Sequence, residues 1–561
     1  MAHPPTGFVG SSPATCFHGI ANCMAAALRA VPITAKGWAM TSFESTHGEH
    51  IIGTLTTFDR MIFKGHLTGL FPEGAFGRFL NTQGVLLKAY AGYVKGVSEA
   101  LKAHAKALAA EAGRPYLYSA HAMTKRLGHS KGDVAEEIIE RDAITEGLVC
   151  VLSAVEPCSS FDVVGNAETK RLEVRRRRRK CLYLYFYFLE PDLGLIHVRL
   201  QSWFPFEIQV YMNGREILAR CLEGRGIGYG RHANAFTTVT DLDTAQRLAD
   251  RLARCKWPVV LRDLAARVNP FLKTIEAAGF QSYWWVLDQA EVATDVMFSS
   301  REALEAILPD LYAHAATAFC AEDIFRFLGR KLHGGFTGEA TTSKRRRPEG
   351  WRIRHTINRN SIKVYDKASV LRVETTINNP REFKVLRVVQ TAEGPCRRWC
   401  PMGKAVANTW RYHQVGTAAN RRYLNALGAA PMNGKGIAAL DALCRPKEIN
   451  GRRHARFNPL TGADLALFQA VLAGEHAVNG FRNADLAARL YPEPPASAEE
   501  ARRRTQRVCR LIAKLRGHRL IMKVKDARLY RVTSYGNQVI AAVIHVRYNR
   551  FPSAFLQLQA A

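Results

Sequence analysis

Apolar residues recur at two different periods along this chain, and the change of period divides it. From Gly84 to Gly113 the positions Leu86, Tyr90, Val94, Val97, Leu101 and Ala105 repeat every three or four residues, which predicts one long helix ended by Gly113-Arg-Pro115. Before it, Gly53 to His66 reads as one or two strands around Asp59-Arg60. After it come a short strand at Tyr116 to Tyr118, a helix from Lys131 to Ile144 and an apolar strand from Gly147 to Val155. Strand, helix, strand, helix, strand predicts an α/β unit over roughly 45–165. No period persists through the first 39 residues, where Pro, Gly, Ser and Ala dominate; residues 1–39 are expected to be either a disordered tail or sequence translated upstream of the real start, with Met40 then the candidate initiator.

From Arg171 the period becomes two. Six successive basic residues, Arg175 to Lys180, run into an alternation that sends Leu182, Leu184, Phe186 and Phe188 to one face and Tyr183, Tyr185 and Tyr187 to the other. Leu195 to Phe206 returns as its partner, and Glu207 to Tyr211 adds a strand before a helix at Arg215 to Glu223, so a mostly antiparallel sheet is expected. Helices follow at 243–256 and 258–277, strand-like segments through Tyr283 to Phe298, a helix from Arg301 to Phe319 with a capping box at Ser299-Ser-Arg-Glu302, and a short helix from Ala321 to Leu332. A basic loop holds Lys344-Arg-Arg-Arg347. Trp351–Ile357, Ser361–Asp366 and Val370–Ile377 then read as three strands, and from about Gly403 the chain turns helical and basic.

The C-terminal pattern is the most ordered. Thr461 caps a helix through Leu472, Asn483 a second with Leu486 and Leu490 inward, and Ser497-Ala-Glu-Glu500 a third whose buried stripe is Val508, Leu511, Ile512 and Leu515. Arg503, Arg507, Arg510 and Lys514 form a neighbouring stripe. Leu520 to Lys525 is a strand, Asp526-Ala-Arg-Leu529 a tight basic tip, and Tyr530 to Thr533 the returning strand.

Charge sharpens this picture. The 561 residues carry 79 Lys+Arg against 49 Asp+Glu, a formal net charge of +30, and a polyanionic partner is the economical explanation, because basic surfaces gain affinity by releasing counterions from phosphates. Length argues for several domains. The 12 cysteines include no CxxC, so buried free thiols in a reducing cytoplasm are expected, Cys181, Cys255 and Cys509 among them. No apolar run is long enough for a membrane span. GxxxxGK[ST], HExxH and GxSxG are absent, and the glycines of GRGIGYG (224–230) follow a helix, unlike a dinucleotide-binding loop.

The order helix, turn, helix, strand, wing, strand, with LIAKLRGHRLI from Leu511 and Tyr530-Arg-Val-Thr533-Ser-Tyr-Gly536, resembles winged helix-turn-helix domains, including those of MarR-type regulators. That resemblance implies a third helix in the DNA major groove, making Arg503, Arg507, Arg510 and Lys514 groove candidates, and Lys523, Lys525 and Arg528 phosphate contacts of the wing. The combination of Phe58-Asp-Arg60, Trp203-Phe-Pro-Phe206, Tyr365-Asp-Lys367 and Leu371-Arg-Val-Glu374 resembles an uncharacterised bacterial family that ends in a winged helix, which implies an architecture and no mechanism.

The expected fold is therefore α+β and multidomain: a tail at 1–39, an α/β domain at 40–170, an α+β domain with an antiparallel sheet at 171–335, a basic β-meander with helices at 336–445, and a winged helix-turn-helix at 446–550. The expected function is DNA binding in the cytoplasm, as a sequence-recognising regulator or mobile-element accessory protein, with no cofactor.

An enzyme remains the alternative. If two polar strand faces coincide, Lys363, Tyr365 and Lys367 meet Arg372 and Glu374, and a tyrosine flanked by cations can attack a phosphodiester with a carboxylate holding a divalent metal. This YDK…LRVE run resembles segments of the rolling-circle replication initiators of filamentous phages, but the HxH pair those enzymes need is missing. Asp288, Glu291 and Asp295 would share a face if helical, as a metal trio requires; aromatic and β-branched neighbours predict strand instead, which scatters them. Tyr183, Tyr185 and Tyr187 either stack single-stranded DNA or RNA bases beside the basic run or lie beneath helices that cover both faces of the sheet.

Overall fold

Strands buried on both faces read as near-continuous apolar runs, and the segments Trp284–Phe298 and Val370–Ile377 are buried along almost their whole length. They lie toward the middle of one large sheet. The computed structural model describes residues 41–551 except 119–129, 333–335, 337, 348–349, 393, 429–432, 450, 460, 475, 477–479 and 525–526. The expected tail at 1–39 lies outside the described residues.

The sheet is built from β1 (Ile51–His66), β2 (Tyr116–Tyr118), β3 (Gly147–Gly165), β4 (Leu172–Glu190), β5 (Gly194–Gln201) and β6 (Ile208–Asn213). After the small hairpin β7 (Tyr229–His232) and β8 (Ala235–Val239), it continues with β9 (Trp284–Phe298), β10 (Ala340–Arg347), β11 (Gly350–Ile357), β12 (Asn360–Lys367) and β13 (Val370–Ile377). The order is β10-β11-β12-β13-β9-β1-β6-β5-β4-β3-β2, with 11 strands. Among the described residues of the sheet only β2 and β3 pair in parallel, joined through the helix Lys131–Arg141; the other pairs are antiparallel.

The mixed α+β class is as expected, but the boundaries at 170 and 335 do not separate cores. The turn near 170 joins β3 to β4, and β9 pairs with both β1 and β13, so one apolar core runs from Phe43 to Leu427. Strand pairing between segments hundreds of residues apart leaves no trace in local periodicity. A second core, from Leu443 to Val543, belongs to the C-terminal helices and hairpin.

Helices cover both faces of the sheet. The helix Thr409–Leu427 lies across β9 and β13, and Gly416 admits the approach: a Cβ there would stand 2.5 Å from Val292 Cβ. On β4 the alternation holds, with Leu184, Phe186 and Phe188 in the main core. Tyr183, Tyr185 and Tyr187 pack instead beneath Ala135 and Ile138 of the helix Lys131–Arg141, and all three are buried. They are not a base-stacking platform. Arg175 to Lys180 are exposed, partly tied to Glu73, Asp162 and Glu173.

Several helices end where proline removes a backbone donor. The helix expected over Arg301 to Phe319 splits into Arg301–Glu305 and Leu308–Thr317, with Pro309 in the first turn of the second. The one expected at 258–277 divides at Asn269-Pro270 into Trp257–Val268 and Leu272–Ala277. The basic stretch around Lys344 is an edge strand, β10, polar on both sides and so without alternation to betray it. A further exposed hairpin pairs β14 (Lys384–Thr391) with β15 (Gly394–Pro401), and neither strand has an alternating buried face to mark it in the sequence.

In the C-terminal part, helices Gly462–Val471, Asn483–Leu490 and Ala498–Gly517 precede a hairpin of β18 (Ile521–Lys523) and β19 (Tyr530–Val532). The helix Ser534–His545 follows. The short pair β16 (Lys447–Ile449) and β17 (Arg452–His454) lies ahead of them. Arg482, not Asn483, is the N-cap of its helix, with Asp485 reaching back to the Arg482 N–H at 2.7 Å. The ten cysteines among the described residues are free thiols; Cys181 is buried as expected, but Cys509 is exposed because it falls outside the stripe of Val508, Ile512 and Leu515. Among the described residues no helix is long and apolar enough to cross a membrane.

Candidate functional site

Antiparallel register decides which side chains meet. Lys363 of β12 stands opposite Glu374 of β13, and Tyr365 opposite Arg372, so the two polar strand faces coincide. The next strand, β9, sets Ala293 beside Glu374, Asp295 beside Arg372 and Glu291 beside Thr376. Beyond it β1 bulges between Phe58 and Met61 and carries Asp59 onto the same face. Four strands thus deliver a polar patch into the middle of an otherwise apolar sheet.

Its floor is a chain of buried ion pairs. Asp295 accepts from Arg372 Nε at 2.7 Å and Nη2 at 3.1 Å, from the backbone N–H of Phe236 at 3.1 Å, and from Arg215 Nη1. Asp295, Arg215 and Arg372 are all inaccessible to solvent. Burial opposes ionisation of Asp295, but the two guanidinium groups outweigh it and hold its carboxyl below the usual range. Arg215 comes from the first turn of the helix Gly214–Glu223, whose Gly214 is pressed against Phe58; a Cβ there would lie 2.6 Å from the Phe58 carbonyl oxygen.

The β7–β8 hairpin closes one side. Asn234, at its turn, donates to Asp59 Oδ1 at 2.7 Å and accepts from Lys367 Nζ at 2.7 Å and Arg372 Nη1 at 2.9 Å. Lys367 is thereby tied to this loop. Arg372 Nη1 also reaches Asp59 Oδ2 at 3.4 Å.

The carboxylates form the upper part. One oxygen each of Asp59, Glu291 and Glu374 lies within 4.8 Å of the others, an oxygen-only set with the spacing of hard-cation ligands. Glu374 accepts from Tyr365 Oη at 2.7 Å, and Lys363 Nζ is 2.5 Å from its other oxygen. Glu291 accepts from Gln289 at 2.9 Å and has Arg60 Nε at 3.9 Å. Burial pushes the Glu291 carboxyl up to about 7, and Glu374 adds to the shift. Burial opposes ionisation of Glu374 too, but Lys363 prevails and holds it down at about 2. Of the two, Glu291 is the one that holds a proton more readily. Tyr365 is 4 % exposed, with Arg352 over its ring at 4.4 Å; burial, then Glu374, raises its pKa well above that of a free tyrosine.

Of the sequence candidates, Tyr365, Arg372 and Glu374 converge as the strand pattern requires. The trio of Asp288, Glu291 and Asp295 does not act as a unit. It lies on a strand, so Glu291 and Asp295 share the site face while Asp288 pairs with Lys64 at 3.1 Å and with Lys404. Arg215 and Asn234 escaped sequence reasoning, since an arginine in a helix and an asparagine in a turn carry no signal of their own. Asp59 had one, the charged pair Asp59-Arg60 inside an apolar strand.

The C-terminal candidates are spread along one helix and one hairpin. Arg503, Arg507 and Arg510 are exposed on the helix Ala498–Gly517, with Arg503 bound to Glu499. Lys514 is withdrawn: its Nζ lies 3.0 Å from Asp464 and 3.9 Å from the centre of the Phe457 ring. Lys523 and Arg528 are exposed at the hairpin, and Lys525 lies outside the described residues. No known family, curated protein or solved structure matches this chain.

Proposed function

We propose that this protein binds duplex DNA through a winged helix-turn-helix formed by residues 462–545. The observation that carries this reading is the disposition of the helix Ala498–Gly517. Val508, Ile512 and Leu515 bury one side of it, while Arg503, Arg507 and Arg510 project from the rest into solvent. The hairpin β18–β19, with exposed Lys523 and Arg528, follows it as a wing would. Lys514 is not a groove contact in this reading, because its ammonium is bound to Asp464. The exposed basic strand β10 (Lys344 to Arg347) and hairpin β14–β15, with Arg387, Arg397, Arg398 and Trp399, supply further phosphate contact to DNA or RNA.

The test is fluorescence anisotropy of the full chain on duplex DNA across a salt series. Removing both cations in Arg507→Ala/Arg510→Ala should weaken binding and lower the slope of log K against log salt by about 0.9 per lost phosphate contact. Unchanged affinity and slope would overturn the assignment.

The alternative, nicking of DNA by Tyr365, draws support from the converging carboxylates but not from the tyrosine. A nucleophilic phenol must shed its proton and reach a phosphorus atom; Tyr365 is buried, donates to Glu374 and holds its proton more tightly than a free tyrosine. In this reading Tyr365 positions Glu374.

A further inference from the structure

We propose that Asp59, Glu291 and Glu374 bind one hard divalent cation, of the Mg²⁺ or Mn²⁺ class, on the polar face of β1, β9 and β13. The three carboxylates offer one oxygen each within 4.8 Å of one another, and among the described residues no sulfur or imidazole joins them, which favours an oxygen-seeking ion.

A cluster of acids can be no more than an ion-paired surface, and here two further observations point to a ligand. Thr57 and Ser361 are both completely buried, and neither hydroxyl has a hydrogen-bond partner among the described residues. Register places both on the site face. Thr57 lies in the cross-strand row of Ala293 and Glu374, and Ser361 in the row of Thr376 and Glu291. Buried hydroxyls left without partners are costly, and a hydrated cation supplies both charge for the acids and water protons for the hydroxyls.

Local charge agrees. Asp59 is compensated by Arg372 and Asn234, and Glu374 by Lys363, whereas among the described residues the ion pair of Glu291 is the long 3.9 Å contact to Arg60, whose side chain is half exposed. Glu291 therefore has the longest ion pair of the three. The ligands are also held before any ion arrives. Tyr365 and Lys363 fix Glu374, Gln289 fixes Glu291, and the Asn234 turn fixes Asp59. Arg60 and Lys363 beside the ion would suit an anionic second ligand, such as a phosphate group. The proposal is independent of the winged-helix reading.

The experiment uses the full chain and Mn²⁺ alone. Free Mn²⁺, followed by electron paramagnetic resonance at pH 7.5, should titrate to one saturable site with Kd below 1 mM on the order expected for a few-carboxylate site. Glu291→Gln and Asp59→Asn should each weaken it at least tenfold, roughly one carboxylate's contribution at 1.4 kcal/mol per decade. Fe²⁺ with peroxide places the site without any substitution: backbone cleavage should centre on residues 59, 291 and 374. No saturable binding in the wild-type chain, cleavage elsewhere, or folded variants that bind as tightly would each overturn the proposal.

Discussion

Replacing Asp295 by Asn is the sharpest test of the buried charge network. The side chains are nearly isosteric, so packing is kept and only charge and hydrogen-bond polarity change. Asp295 sits between Arg215 and Arg372 with none of the three accessible to solvent, and its oxygens accept from both guanidinium groups and from the Phe236 N–H. An amide keeps one acceptor and turns its NH₂ toward groups that can only donate. Breaking a buried pair by removing one partner costs about 3–5 kcal/mol, most of it the penalty of an uncompensated buried cation. With m of about 3 kcal/mol/M, the urea midpoint should fall by roughly 1–1.7 M. The seven tryptophans among the described residues all precede Leu427 and none belongs to the C-terminal core, so the change in tryptophan fluorescence follows the large one. Adding Arg215→Met to Asp295→Asn should recover part of the loss, because one unpaired cation goes with it. A shift worth less than about 1 kcal/mol in the single variant would refute the claim that these charges are desolvated and mutually dependent.

Tyr365→Phe should destabilise by about 1.5–3 kcal/mol, the range for a hydrogen bond to a charged group, and leave duplex affinity unchanged; a phosphotyrosyl DNA adduct on the wild-type protein would instead make it a nucleophile. Acid should loosen the large core before most carboxylates titrate. Burial depresses His197 to about 4, His355 to about 3 and His413 to about 4, so below pH 6.5 the unfolded chain binds three more protons at these positions. Glu291, raised to about 7, works in the opposite sense between about 7 and 4.5 and cancels one of them. These four groups leave a loss of about 2–3 kcal/mol per pH unit near pH 5.5, and a urea midpoint flat from pH 6.5 to 5 would contradict it.

Local elements were legible wherever one side of them is buried. The three strands ending at Ile377 and the helix over Val94 to Ala105 follow directly from their apolar spacing. What stayed hidden was long-range. Nothing in the period of β1 announces that β9 will lie beside it, so one sheet read as three domains. Half of the site was visible, because alternation put Lys363 and Tyr365 on one face and Arg372 and Glu374 on another. Joining them to Asp59 and Asn234 needed a bulge and a hairpin turn, which are set by tertiary pairing. The burial of Tyr183, Tyr185 and Tyr187 was equally unreadable, since a tyrosine beneath a helix and one facing solvent alternate identically.

The bulge that brings Asp59 to Arg372 joins residues 313 positions apart, and this has a consequence for how the chain is made. On the ribosome β1 meets β6 first, while its opposite edge has no partner until β9 has emerged; β9 in turn waits for β13. Each is a long strand with unsatisfied backbone donors and acceptors, a template for pairing with a neighbouring nascent chain. Arginines at 215 and 372 and aspartate at 295 become affordable to bury only when all have been synthesised, so the polar patch closes after most of the sheet. A chain cut short between β9 and β13 would carry Asp59 and Glu291 without Glu374 on an open sheet edge. Loss of the last strand should therefore be felt as insolubility rather than as a weakened site.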